Sequence, residues 1–170
     1  MAEGIDVGIN WAKDLADWSL AGRFRANLIY SHALEGYEIP TPGAGKDNFA
    51  GEVGGSDDRF NLALGYDIGD FGITWRTTFI GSAALDDQFL LAYGYEPESV
   101  EIGSVTYHDV QLTYSPGDVM EFYIGAFNVF DKEPPKLITG LPSNVTGAET
   151  DSGTYDAIGQ RWYGGVRVKF

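Results

Sequence analysis

The chain has no cysteine, only two histidines, and eleven lysines and arginines against twenty-five aspartates and glutamates in 170 residues. Without cysteine there is no disulfide framework and no thiolate metal site. A formal charge of -14 leaves no basic footprint for phosphate, so nucleic acid is not an expected partner. Two histidines are too few for ligand capture by paired imidazoles. Asp57-Asp58 and Asp86-Asp87 stand as isolated acidic pairs, without metal-ligand spacing. No cofactor is therefore expected. Nowhere does an apolar run approach the roughly 18 residues of a helical membrane span, and the start, Met1 to Trp11, lacks the charged and apolar regions of a signal segment. His108 and Asp109 are adjacent and so point to opposite faces of a strand, and no nucleophile with a matching base is apparent. Catalysis is not expected.

What the chain does have is alternation. Ile5, Val7, Ile9 and Trp11 alternate with Asp6, Gly8, Asn10 and Ala12, the period of a strand with two unlike faces. From Trp18 to Tyr30, the series Trp18, Leu20, Gly22, Phe24, Ala26, Leu28 and Tyr30 opposes Ser19, Ala21, Arg23, Arg25, Asn27 and Ile29. Phe60, Leu62, Leu64, Tyr66 and Ile68 oppose Arg59, Asn61, Ala63, Gly65 and Asp67. Phe71, Ile73, Trp75, Thr77 and Phe79 oppose Gly72, Thr74, Arg76 and Thr78, and Val110, Leu112 and Tyr114 oppose Asp109, Gln111 and Thr113. Val119 to Phe130 alternates less cleanly. From Gly159 to the terminal Phe170, Trp162, Gly164, Val166, Val168 and Phe170 oppose Arg161, Tyr163, Gly165, Arg167 and Lys169. About seven antiparallel strands are predicted, in an all-β fold.

Most of these runs reach the roughly nine to eleven residues that a tilted strand needs to cross a bilayer. The faces carrying Arg23, Arg25, Arg76, Arg161 and Arg167 would be costly in a packed core unless each charge were paired, and they suit a wet lumen. Connections alternate in length. Asp14 to Asp17, Gly69-Asp70 and Ser115 to Asp118 are tight turns, whereas Ser31 to Asp58, Gly81 to Ser104 and Asp131 to Ile158 are long and rich in Gly, Pro, Asp and Glu. Short turns on one side and long loops on the other mark outer-membrane barrels. Trp11, Trp18, Tyr66, Phe71, Tyr114 and Phe170 cluster by the short turns, and Tyr30, Phe60 and Phe79 by the long loops, as two interfacial girdles would. The acidic loops are solvated and suited to attracting cations. Asn144-Val145-Thr146 fits a glycosylation pattern but reads as loop in a bacterial envelope protein.

At the end of the sixth predicted strand stands Asn128-Val129-Phe130-Asp131-Lys132-Glu133-Pro134-Pro135. A Gly-, Thr- and Asp-rich loop follows with Tyr155-Asp156, then Gly159-Gln160-Arg161-Trp162-Tyr163 leading to Phe170. Here the chain resembles the TonB-dependent outer-membrane receptor family, whose penultimate strand ends in an Asn-Leu-Phe-Asp-Lys-x-Pro segment and whose last strand opens with a Gly-Arg-like step. Val129 replaces the usual Leu, and Gln160 intervenes between Gly159 and Arg161. Asn128 and Asp131 are suited to bonding local backbone where the ladder ends, and Pro134 and Pro135, lacking N–H groups, stop the strand. The resemblance implies that Phe170 is the signal read by the barrel-assembly machinery.

It also implies that residues 1–170 are the C-terminal portion of a receptor whose barrel has about 22 strands around a plugged lumen. Counting back from a periplasmic C-terminus through seven strands puts the first strand's start on the long-loop side, where a complete barrel would not begin. The plug domain, the upstream strands and the N-terminal region that engages the TonB complex are then expected in other sequence. On that view the chain lies in the outer membrane against lipid, and the five arginines face the plug and the substrate route. The complete protein would carry out energy-coupled uptake of a scarce nutrient such as a ferric siderophore, cobalamin, haem or an oligosaccharide. Two other classes remain open: a small autonomous outer-membrane barrel, and a soluble lipocalin-like barrel. The second should point apolar residues inward, which arginine-rich inner faces disfavour.

Overall fold

The computed structural model describes residues 1–96, 99–137 and 149–169. The predicted alternation becomes β1 (Ala2–Asp14), β2 (Arg23–Glu38), β4 (Asp58–Ile68), β5 (Phe71–Ile80), β8 (Val105–Tyr114), β9 (Met120–Phe127) and β10 (Arg161–Val168). The loops add the two-residue strands β3 (Asp47–Asn48), β6 (Ala83–Ala84) and β7 (Glu101–Ile102), and one short helix, α1 (Asp87–Ala92). The seven long strands form a single sheet in the order β1-β2-β4-β5-β8-β9-β10, with β3 beside β2. Each strand pairs antiparallel with its neighbour. Among the described residues no pairing joins β1 to β10, so the sheet is open and presents two edges.

Register decides which residues share a face, because directly paired positions point the same way. One row runs Trp11, Ala26, Leu64, Trp75, Val110, Ala126 and Trp162 across all seven strands. The next row along the strands, on the opposite face, runs Ala12, Arg25, Gly65, Thr74, Gln111, Gly125 and Tyr163. The sheet therefore has one continuous apolar face and one continuous polar face. The apolar face is uncovered: Ile9, Phe71, Leu112, Ile124 and Trp162 are each half exposed or more. At its short-turn end Trp11 packs on Phe24, and Phe71 stacks on Tyr114. Toward the long loops Phe60 stacks on Phe79, and Trp75, His108 and Phe130 meet with centroids 5.3–5.9 Å apart.

The buried core lies on the other side of the sheet. Ile80, Val105 and Tyr107 point from the long-loop end of the polar face into a cluster with Leu85, Leu90, Ile102, Leu137 and Tyr155. The long connections thus fold inward over the polar face and share one small hydrophobic centre, about which the strand rows themselves say nothing.

Several predicted boundaries move. The first turn is not Asp14 to Asp17 but the whole of Leu15 to Gly22, so Trp18, Leu20 and Gly22 leave the alternation of strand two. Asp14 accepts a hydrogen bond from the Ala16 amide (2.9 Å), Leu15–Trp18 makes a 3₁₀ turn, and Ser19 takes a left-handed conformation. Gly22, at φ +95°, closes the turn where a Cβ would collide with the Asp67 carbonyl. Strand two continues through Ser31 to Glu38, which had read as loop. The last strand is shorter than Gly159 to Phe170, and Phe170, like Asn144-Val145-Thr146, lies outside the described residues. Helix α1 was not foreseen; its start is set by Asp86, which accepts from the Phe89 amide at 2.7 Å.

Candidate functional site

All five arginines singled out from the sequence lie on the polar face, but in different settings. Arg25 lies over Gly65, where an added Cβ would approach it to 3.2 Å, and it pairs with Asp67 at 2.8 Å. Arg161 pairs with Asp156 at 2.8 Å and covers the Phe127 ring, and Arg167 pairs with Glu121. Arg23 stands opposite Asp14 and Asp67, and Arg76 opposite Ala63 and Asp109, yet neither makes an ion pair among the described residues. Arg25 and Arg76 flank a shallow concavity of about 480 Å³ floored by Ala12, Ala63 and Gly65 and edged by Asn10, Asn27 and Thr74. A sixth arginine, Arg59, shares the face and holds the first long loop through Ser56 Oγ (3.0 Å) and the Gly54 carbonyl. Its position in the Phe60 to Ile68 alternation was the available signal.

The Asn128 to Pro135 segment is a staple. Asn128, 1 % exposed and left-handed at φ +48°, donates from Nδ2 to the Lys132 carbonyl (3.0 Å) and accepts from the Lys132 amide (2.8 Å). Its own amide donates to Asp109 (2.9 Å). Asp131, also left-handed, accepts from the Gln160 amide at 2.9 Å, and Gln160 Nε2 donates to the Val129 carbonyl at 2.7 Å. The end of β9 is thereby tied to the start of β10 across 29 residues. Pro134 and Pro135 are half-buried in a stretch without regular structure, and Phe130 projects on the apolar side against Trp75 and His108. These residues are positioned to shape the strand junction.

Asp156 completes the junction by accepting from the Ile158 and Gly159 amides and from both terminal nitrogens of Arg161. Burial pushes its carboxyl up, but the Arg161 guanidinium and the amides outweigh this and hold it below the usual carboxylate range.

The first and second long loops are clasped together through Glu52. Its backbone bridges to Ala84, the Val53 amide donates to the Ala84 carbonyl (2.9 Å), and its carboxyl accepts from the Asp87 amide (3.0 Å). Burial raises the Glu52 pKa from 4.5 to about 7, opposed by the Asp87 amide and reinforced by the charges of Asp86, Asp87 and Asp47. A raised carboxyl pKa contributes stability that is full below about pH 4.5 and is lost as pH rises through about 7. Amide protection factors across 49–55 and 84–92 should therefore fall about tenfold from pH 5 to pH 8, after allowance for solvent screening. Glu52→Gln should flatten that change; a pH response that persists in this variant would assign it to another group.

Sequence reasoning also missed a polar group on the apolar face near the long loops, where Tyr30 donates to Asp58 (2.5 Å) and His32 Nδ1 lies 2.9 Å from the same oxygen. The residues are 26 apart in the chain and meet only through the β2–β4 register. His108, by contrast, contacts Thr77 Oγ1 at 3.1 Å, while Asp109 points to the other face.

No family model matches this chain, and no curated protein or solved structure shows significant similarity to it.

Proposed function

We propose that the chain is a membrane-embedded wall of a larger outer-membrane β-barrel, of the TonB-dependent receptor type that its Asn128 to Pro135 segment resembles. One observation carries this reading: an apolar face continuous over seven strands is uncovered, while the arginines lie opposite. Soluble monomers rarely expose contiguous apolar patches beyond a few hundred Å². Strands of eight to sixteen residues, girdled by aromatics at both ends, suit an outward apolar band about 25 Å tall.

The edges say what else is needed. β1 and β10 run in the same direction, from the long-loop end to the short-turn end, and each leaves a row of backbone groups that hydrocarbon does not tolerate unpaired. Antiparallel closure requires an odd number of further strands. A second copy in the same membrane orientation offers its β10 to β1 only in parallel, so the completing strands come from different sequence. In the assembled barrel the five arginines face the lumen, its plug and the solute path, and the acidic loops stand outside. The function is then nutrient uptake, with TonB engagement and the plug supplied by the rest of the receptor.

Three of the four tryptophans, Trp11, Trp75 and Trp162, sit on one row of the apolar face. In the complete barrel, with other tryptophans replaced and the protein placed in vesicles of lipids brominated along the acyl chain, their fluorescence should be quenched by at least half relative to unbrominated lipid. Unchanged fluorescence with folded protein in the vesicle fraction would remove the lipid-facing assignment.

A further inference from the structure

Between Arg25 and Arg76 the polar face carries almost no side chain. Arg25 on β2 and Arg76 on β5 stand about 10 Å apart across β4, whose residues between them are only Gly65 and Ala63. The concavity of about 480 Å³ is the gap this leaves. Asn10, Asn27 and Thr74 edge it, and among the described residues no aspartate or glutamate lines it, in a chain with twenty-five acids. Arg25 holds Asp67 at 2.8 Å, beyond the edge, and remains half exposed. Arg76 is exposed and makes no ion pair among the described residues, and Asp109 across the ladder gives one oxygen to the Asn128 amide. Elsewhere on the same face Arg161 and Arg167 are matched by Asp156 and Glu121. Around this concavity positive charge is in excess.

From this excess we infer that the concavity receives a carboxylate, the side chain of an aspartate or glutamate on the plug that fills the lumen of the complete receptor. The contact rests on the receptor reading, which supplies the plug. Seating a protein segment against this face strips part of the water from the arginines, and an arginine so placed is costly without a partner. A guanidinium takes a carboxylate through two parallel hydrogen bonds, which fixes where the plug sits along the wall. The volume holds such a side chain together with several waters. A free anion fits less well. The concavity is shallow, whereas small-molecule sites bury most of their ligand, and the acidic long loops repel anions at the outer mouth.

The test uses the complete receptor in detergent micelles, carrying Arg76→Lys. A water-soluble carbodiimide joins the introduced amine to a touching carboxylate as an amide, the reagent leaving as its urea, and peptide mass mapping locates the partner. The coupled residue should be an aspartate or glutamate of the plug. Arg76→Glu should speed amide exchange in the plug peptide so located by about tenfold or more, whereas Arg76→Lys should stay within about twofold of the unsubstituted receptor. Replacing the coupled plug acid by lysine in the Arg76→Glu background should recover most of the loss, which a merely structural role for Arg76 would not allow. Absence of coupling, coupling to Asp109 alone, coupling suppressed by saturably bound citrate, unchanged exchange in Arg76→Glu, or a charge reversal that rescues nothing would each overturn the inference. Such a failure with lipid quenching intact leaves the membrane wall standing; a plug carboxylate found here without quenching removes the wall and keeps the contact.

Discussion

Leu64→Arg is expected to destabilise the sheet in a bilayer by about 2–4 kcal/mol, whereas Ala63→Arg, one residue away, should cost about 1 kcal/mol or less. Leu64 lies mid-strand in the row that runs from Trp11 to Trp162, between Ala26 and Trp75. On a lipid-facing surface a guanidinium there loses its hydration and has no partner within the band. Ala63 lies on the opposite face, at the floor of the concavity edged by Asn10, Asn27 and Thr74. An arginine has room and water there, and its main cost is the like charge of Arg76 directly across the ladder. Denaturant titration of the complete barrel carrying either substitution, reconstituted in vesicles, measures both. The contrast between the two positions is the prediction, since a general loss of packing would affect both alike. Similar penalties would mean that the row does not meet lipid and that the face is covered by another protein surface.

Which residues share a face was legible in the chain because a two-residue period survives any twist of the sheet. Where strands stop was less so. Trp18, Leu20 and Gly22 continue the alternation into a turn set by the Asp14 cap, Ser19 and the close approach of Gly22 to Asp67. His32 to Glu38 has no clean alternation, yet forms strand because β1 pairs with it as far as Gly36. The loop cap was illegible for a different reason. Its centre gathers Leu85, Leu90, Ile102, Leu137 and Tyr155 from segments that read as Gly- and Asp-rich connection, and only the inward fold of the loops assembles them. Long-range polar contacts such as Glu52 with Asp87, or His32 with Asp58, have no local signature. The arginine face needed only the phase, whereas the buried loop cluster needed the fold.

The Asn128 staple shows the intermediate case, in which a motif announces its chemistry but not its reach. Asn128 terminates β9 as its residue type suggests, since a short amide tolerates the left-handed conformation and mimics backbone hydrogen bonding. What the chain does not announce is that Asp131 and Gln160 extend the lock to β10, the last strand of the sheet. Asn128→Ala should therefore destabilise the protein by about 2–4 kcal/mol, the sum of two lost hydrogen bonds from a buried side chain and a left-handed alanine. Asn128→Gly, free of the backbone strain, should recover about 1 kcal/mol of that. Because β10 forms one edge of the sheet and is held on its inner side by β9 alone, the loss should appear first as faster amide exchange across Arg161–Val168, with β4 and β5 unaffected. Denaturant titration with residue-resolved hydrogen exchange reads both quantities. Uniform loss of protection over the whole sheet would make the segment part of one cooperative unit, whereas an effect below about 0.5 kcal/mol, within the usual range for surface substitutions, would remove its role as the lock between the last two strands.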